Sequence, residues 1–385
     1  MDAVTFSKLE IEGWRQFDDV NITLHPRLTV ITGANGSGKS TLLSILIRHF
    51  GLSRGYLSTP IKDKQGSLSY ISGIINNLWH SMRIGRADPN MVTIGNISYS
   101  NGIVSLIRVP PQGALQYNVD IPSQQSVLGI HIDSYRPVPN YTQVGAISLQ
   151  PMTADQSYSN YNSEITQRYF GNHTNSSPLF RLKESIISMS IFGEGNIALG
   201  RNENLIRILS GFNEVLRNIL PESLGFQNLA VRSPDVVLIT HSGDFLIDSA
   251  SGGIMTLIDV AWRIYMFSIN RPCFVVTMDE PENHLHPSMQ RSLMRRLLKA
   301  FPQVQFIIAT HSPFMVSSVK DSNVYVLQYG RSSSPGTEVE QHYSVGQNAS
   351  RVTSLQLTNV NKAASTSDIL RDVLGVPATM PEWVE

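Results

Sequence analysis

The sequence predicts an α/β protein with N-terminal antiparallel strands, a central, mostly parallel sheet flanked by helices, and an inserted helical lobe. Three observations predict it. A short β-branched run, Leu28-Thr29-Val30-Ile31, enters a glycine-rich turn and then an apolar stretch of helical period, Thr41 to Phe50, closed by Gly51. A continuous apolar run, Cys273 to Met278, precedes an acid pair, as strands buried on both faces of a parallel sheet do. Apolar residues then recur at helical spacing between 179 and 220: Leu182, Ile186, Ile187 and Met189, followed by Leu205, Ile208, Leu209, Phe212 and Leu216.

The remaining elements follow in order. Phe6 to Ile11 and Val20 to Leu24 alternate apolar and polar residues and read as strands about a turn at Gln16 to Asp19. Residues 68–85 read as a helix, and 92–132 as several strands with turns at Asn101-Gly102 and Pro110-Pro111. From Val138 to Pro178 Tyr, Asn, Ser and Gln replace charges, which predicts a long loop or insertion with mobile parts. Val236 to Thr240 and Phe245 to Ile247 form a hairpin about Gly243, and Gly252-Gly253 opens a helix to about Phe267. Met289 to Leu298 reads as a helix, Gln305 to Ala309 as a strand, Pro313 to Val319 as a short helix and Val324 to Gln328 as a strand. Arg331 to Gly336 is a loop and Ser365 to Leu374 a last amphipathic helix. The expected segments are 1–130, which carries the glycine-rich turn; 131–230, the insertion and helical lobe; 231–330, the second half of the sheet; and 331–385, a strand and helix extension.

A chain of 385 residues with 41% apolar side chains buries a full core without disulfide or metal staples. Thirty basic residues balance thirty acidic ones, so the chain lacks the global positive charge of a nucleic-acid binder. The lone Cys273 excludes a disulfide scaffold and fits a reducing compartment. The N-terminus has neither the basic nor the apolar region of a signal peptide. The longest apolar stretch, Ile254 to Ile269, contains Asp259 and Arg263 and is too short to span a bilayer. The expected location is therefore the cytoplasm, without membrane contact.

Gly33-Ala34-Asn35-Gly36-Ser37-Gly38-Lys39-Ser40 fits G-x-x-x-x-G-K-[ST] between an apolar strand and an apolar helix. The glycines let successive backbone N–H groups point at one anion, and the helix from Thr41 aims its positive end there. Lys39 is expected at the β- and γ-phosphates, and the Ser40 hydroxyl on Mg²⁺. Asp279, delivered by the buried strand, is the second Mg²⁺ residue, and Glu280 the base for the attacking water. His311, in Ala309-Thr310-His311-Ser312-Pro313 after another apolar strand, is placed at the γ-phosphate; a lone strand-end histidine is ordinarily only packed or solvated. Ser251-Gly252-Gly253 caps a helix, an ordinary N-cap unless a second anion meets it.

GANGSGKS, ASGG, FVVTMDEPENHLHP and IIATHSP, in this order and spacing, resemble the ABC-type ATPase heads of the soluble RecF, SMC and OLD-like branch. Within it they look most like the ATPase subunits of bacterial anti-phage systems such as PARIS and Septu, and the start and end of the chain also look like that group. The resemblance implies ATP and Mg²⁺ as ligands, and a homodimer or higher homo-oligomer in which two heads sandwich ATP. Lys39, Ser40, Asp279, Glu280 and His311 would come from one copy, and Ser251, Gly252 and Gly253 would face the other copy's γ-phosphate. It turns Pro281 to Pro287, with His284 and His286, into an interface loop instead of a metal site. Arg15 resembles an arginine that approaches the nucleotide in SMC-like heads. Ile254 departs from the Gln or Glu that normally ends the signature, and Gln143 and Gln150 are placed only by position as Mg²⁺-sensing glutamines.

The favoured reading is an ATP hydrolase whose nucleotide state controls a separate effector, a nuclease or Toprim-like protein, in anti-phage defence. Asp321, Asp368 and Asp372 do not make the Asp-x-Asp of a Toprim centre, so the chain is expected to carry no nuclease of its own. The alternatives are a RecF-like DNA-scanning ATPase, with Arg291, Arg295, Arg296 and Lys299 as its best basic cluster, and an ATP-gated scaffold with little hydrolysis. Zero net charge counts against DNA as a partner.

Overall fold

The computed structural model describes residues 3–62, 66–74, 90–136, 140–195, 200–331, 350–363 and 365–373. The chain divides into two units, each discontinuous in sequence. Unit 1 gathers Met1–His131, Phe274–Pro281 and Gln305–Glu385; unit 2 gathers Ile132–Cys273 and Glu282–Val304.

Unit 1 is built on a ten-stranded sheet. Its strand order is Gly129–Ile132, Phe274–Asp279, Val304–Ala309, Leu28–Gly33, Asn323–Arg331, Ser350–Gln356, Phe17–Thr23, Phe6–Trp14, Val92–Tyr99 and Val104–Val109. Leu28–Gly33 runs parallel to both of its neighbours. The strands from Phe17–Thr23 outward pair antiparallel. Ser350–Gln356 joins the two regimes, antiparallel to Asn323–Arg331 and parallel to Phe17–Thr23. The antiparallel and parallel parts expected from the sequence are thus one continuous sheet. Helix α1 (Lys39–Ile47) inserts Leu42, Leu43, Ile45 and Leu46 into a core with Phe6, Trp14, Phe17, Ile31, Ala309 and Leu327. The strands Leu28–Gly33 and Val304–Ala309 are buried at every position, Thr29, Thr32 and Gln305 included, which is why they do not read as alternations.

Several readings of this unit are corrected. The first turn is tighter than expected: Phe6–Trp14 and Phe17–Thr23 are separated only by Arg15 and Gln16. Arg15 adopts φ 54°, and its N–H donates to Gly73 O at 2.7 Å. Residues 68–71 form a strand paired with Thr59–Lys62, not the start of a helix; residues 75–89 lie outside the described residues. The alternation of Leu68, Ser69, Tyr70 and Ile71 is too short for periodicity to separate strand from helix. The short helix after His311 stops at Val316. Residues 332–336 of the expected loop and Leu374 lie outside the described residues, and Thr366–Asp368 runs into a single wide turn at Ile369–Val373.

Unit 2 holds helices α2 (Ala154–Tyr169), α3 (Pro178–Glu194), α4 (Glu203–Ile219), α5 (Gly252–Ser268) and α6 (Pro287–Ala300). Its small sheet pairs Phe226–Arg232, Asp235–Thr240 and Phe245–Leu246, which places the expected hairpin beside a strand the sequence reading lacked. Helix α2 lies inside the stretch expected to be loop. Its polar sequence still carries a helical stripe (Ala154, Ser157, Tyr161, Glu164 and Ile165 are buried), and a capping box between Thr153 and Gln156 starts it. The fully buried Lys183 is neutralised by Asp235 and Asp248, each at 2.8 Å. Among the described residues, no helix is long and apolar enough to cross a membrane.

Candidate functional site

The glycine-rich loop leaves Leu28–Gly33 and enters α1 through Gly38, which has φ 99°. A Cβ at Gly38 would stand 2.4 Å from the buried Phe17 ring and 2.5 Å from Gln16 Nε2, so only glycine fits this turn. Gln16 and Phe17 therefore brace the loop, a contact that sequence reasoning missed because nothing local announces it. A Cβ at Gly33 would stand 2.4 Å from Leu327 O. The Lys39 ammonium donates to Gly33 O and Ala34 O, both at 3.0 Å. Ser37 Oγ is buried without a hydrogen-bond partner. A loop that excludes side-chain carbons and holds a cation and a buried hydroxyl fits a phosphate chain.

The acid end of Phe274–Asp279 belongs to the same unit. Burial raises the Asp279 carboxyl above the usual carboxylate range; a hydrogen bond from Ser40 and the charges of Lys39 and Arg54 oppose this, while Glu280 adds to it. Ser40 and Asp279 are thus brought together, two hard oxygen donors of the kind Mg²⁺ takes. Glu280 has φ 46°, a conformation side-chain-bearing residues rarely adopt, fixed by its N–H donating to Ala309 O at 2.9 Å. His311 Nε2 lies 3.9 Å from Glu280 Oε1. Burial first, and Lys39 second, push the His311 imidazole below its usual range, with Glu280 pulling the other way, which favours its neutral form. Lys39, Ser40, Asp279, Glu280 and His311 thus form one cluster. Arg15 sits in the turn next to Gln16, its guanidinium 5.8 Å from the Trp14 ring and 5.7 Å from the Tyr56 ring.

Unit 2 carries the other sequence candidates. Ser251 caps α5, with Oγ accepting from the Ile254 N–H at 3.5 Å; Ser251 and Gly252 are exposed. Ile254 is buried, which gives the departing signature residue a packing role. Gly253 lies against the next loop, where an added Cβ would stand 3.0 Å from His284 O. His286 is the N-cap of α6, its Nδ1 accepting from the Ser288 N–H. Gln143 and Gln150 are exposed. Arg291, Arg295 and Lys299 are exposed on α6, while Arg296 donates to Asn218 O and Leu220 O.

Two family models match the chain. One, described as "AAA domain, putative AbiEii toxin, Type IV TA system", covers residues 240–317, and one described as "AAA domain" covers residues 8–68. The "Retron Ec83 probable ATPase" of Escherichia coli is 29% identical over 183 residues, 45% of this chain and 31% of that protein, so the chain spans about a third of that relative's length. The "Septu protein PtuA" of Bacillus thuringiensis is 21% identical over 352 residues, 84% of this chain and 79% of that one. Among solved structures, the Pyrococcus furiosus Smc head domain bound to the C-terminal domain of ScpA aligns at 16% identity and a TM-score of 0.47, covering 96% of this chain and 99% of that one. The family models and the two relatives support the resemblance to ABC-type ATPases of the anti-phage kind.

Proposed function

We propose that the chain is an ATP-hydrolysing head that closes with a second copy around bound ATP, and whose nucleotide state controls a separate effector in anti-phage defence. The observation that carries the hydrolytic part is the gathering of Lys39, the Ser40–Asp279 pair and the Glu280–His311 pair in one unit.

Each group has a task that its surroundings suit. Lys39 exchanges its two carbonyl contacts for phosphate oxygens, helped by the N–H groups at the start of α1. Ser40 and Asp279 would hold Mg²⁺, which would supply charge neutralisation for the triphosphate. Glu280 orients the attacking water and accepts its proton. The neutral His311 holds its ring N–H toward a γ-phosphate oxygen as charge gathers there. Breaking the bond between the β–γ bridging oxygen and the γ-phosphorus leaves ADP and inorganic phosphate. Ser251, Gly252 and Gly253 meet the γ-phosphate bound to the other copy, so its loss removes what holds the pair closed. The effector and the defence role follow from the resemblance.

A phosphate-release assay on the purified chain, paired with light scattering in ATP and in ADP, tests this reading. Expected are phosphate release and a larger particle in ATP than in ADP. A chain that releases no phosphate overturns the hydrolytic part, and one of equal size in both nucleotides overturns the closing step.

A further inference from the structure

Tyr325, Leu327 and Tyr329 alternate along Asn323–Arg331 and therefore share one face of the strand. Tyr325 and Leu327 belong to the core that α1 covers, at 3% and 1% exposure. Tyr329, the next residue of the stripe, emerges at 47%. Register fixes where it emerges. Leu327 stands opposite Gly33, the first residue of the phosphate loop, on a parallel strand. Tyr329 is thus one step beyond the point where the loop begins. Its hydroxyl reaches the loop, since a Cβ at Gly36 would stand 3.4 Å from Tyr329 Oη.

An aromatic ring that has left the core and lies against a phosphate-binding loop suits a flat partner with a π-face of its own. We propose that Tyr329 is the platform on which the base of a purine nucleoside triphosphate stacks while its phosphates occupy Gly33 to Ser40. This rests on reading that loop as the nucleotide site. Stacking uses the π-face that every base has, so adenine and guanine are held alike and the larger purines better than pyrimidines.

The test separates base from phosphate. ATP, GTP and inorganic tripolyphosphate are titrated by calorimetry against wild type, Y329A, Y329F and K39A. Y329A is expected to weaken ATP and GTP by roughly tenfold or more, the usual loss for a base–aromatic stack, and to leave tripolyphosphate unchanged. Y329F keeps the ring and is expected to bind as wild type. K39A is expected to weaken all three ligands. Unchanged ATP affinity in Y329A, or an equal loss for tripolyphosphate, overturns the proposal. Undiminished binding in K39A instead overturns the reading of the loop itself. Should Y329A not fold, Y329W decides: its added indole fluorescence is quenched by ATP but not by tripolyphosphate if the base stacks there, and by neither if it does not.

Discussion

Glu280 illustrates how function is written into single residues. Its φ of 46° places a carboxylate-bearing residue where glycine is favoured, a strain of about 1 kcal/mol or more, and its backbone bond to Ala309 maintains it. If this strain aims the carboxylate at the attacking water, Glu280→Gln keeps the shape and removes the base. Phosphate release should then fall by about a hundredfold or more, with ATP still bound. Single-turnover phosphate release alongside an ATP titration checks both halves, and near-normal turnover would remove Glu280 from the chemistry. The clustered residues at this scale were legible because the chemistry restricts the residue type: a lysine, a hydroxyl and an acid pair at fixed offsets have few substitutes. Gln16, Phe17 and Tyr329 were not legible. Gln16 approaches the loop from the turn before Phe17–Thr23, and Phe17 and Tyr329 from other strands, so only the sheet register brings them there.

At the scale of elements, α1 depends on both of its ends. At its start, Gly38→Ala drives a methyl group into the Phe17 ring at φ 99°. That overpacking and strain should destabilise the chain by about 2–3 kcal/mol and abolish nucleotide binding, as denaturant melts and an ATP titration would report. Just beyond its end, His49 is half-buried, with one ring nitrogen 3.0 Å from Leu46 O and the other 2.8 Å from Tyr99 Oη. Desolvation, aided by Arg48, lowers its pKa from 6.5 to about 4. Between those values the unfolded chain takes a proton that the folded chain refuses. This contribution is present above pH 6.5 and is lost as pH falls toward 4, by up to about 3 kcal/mol. Urea melts of wild type and His49→Gln at pH 7 and pH 4 should show the smaller acid loss in the variant. Elements were legible where burial is one-sided or complete, as in Leu28–Gly33 and α4. Helix α2 was hidden because tyrosine, serine and glutamate make up much of its buried stripe, although the pair Thr153 and Gln156 announced its start.

For the molecule as a whole, the decisive question is what meets the start of α5. Ser251 and Gly252 are exposed there, at the head of a seventeen-residue helix whose first N–H groups are only weakly capped by Ser251. Such an end favours an anion, by about 0.3–1 kcal/mol at an exposed site and more where water is excluded. With Ile254 turned into the core, the polar contact a Gln or Glu would add is missing, so on the proposed reading the serine and the helix end would carry the contact with a second copy's nucleotide alone. Association should therefore be unusually sensitive to Ser251. Ser251→Arg replaces an exposed cap, at a cost of about 1 kcal/mol or less to the fold, and sets a large cation where a γ-phosphate would need close N–H groups. The comparison is best made in a Glu280→Gln background, where ATP persists. The parent should associate on ATP addition by analytical ultracentrifugation, while the Ser251→Arg form stays at the size of the nucleotide-free protein and binds ATP as before. If both associate equally, Ser251 does not face the nucleotide of a second copy, while the hydrolytic role proposed for the cluster of unit 1 would still stand.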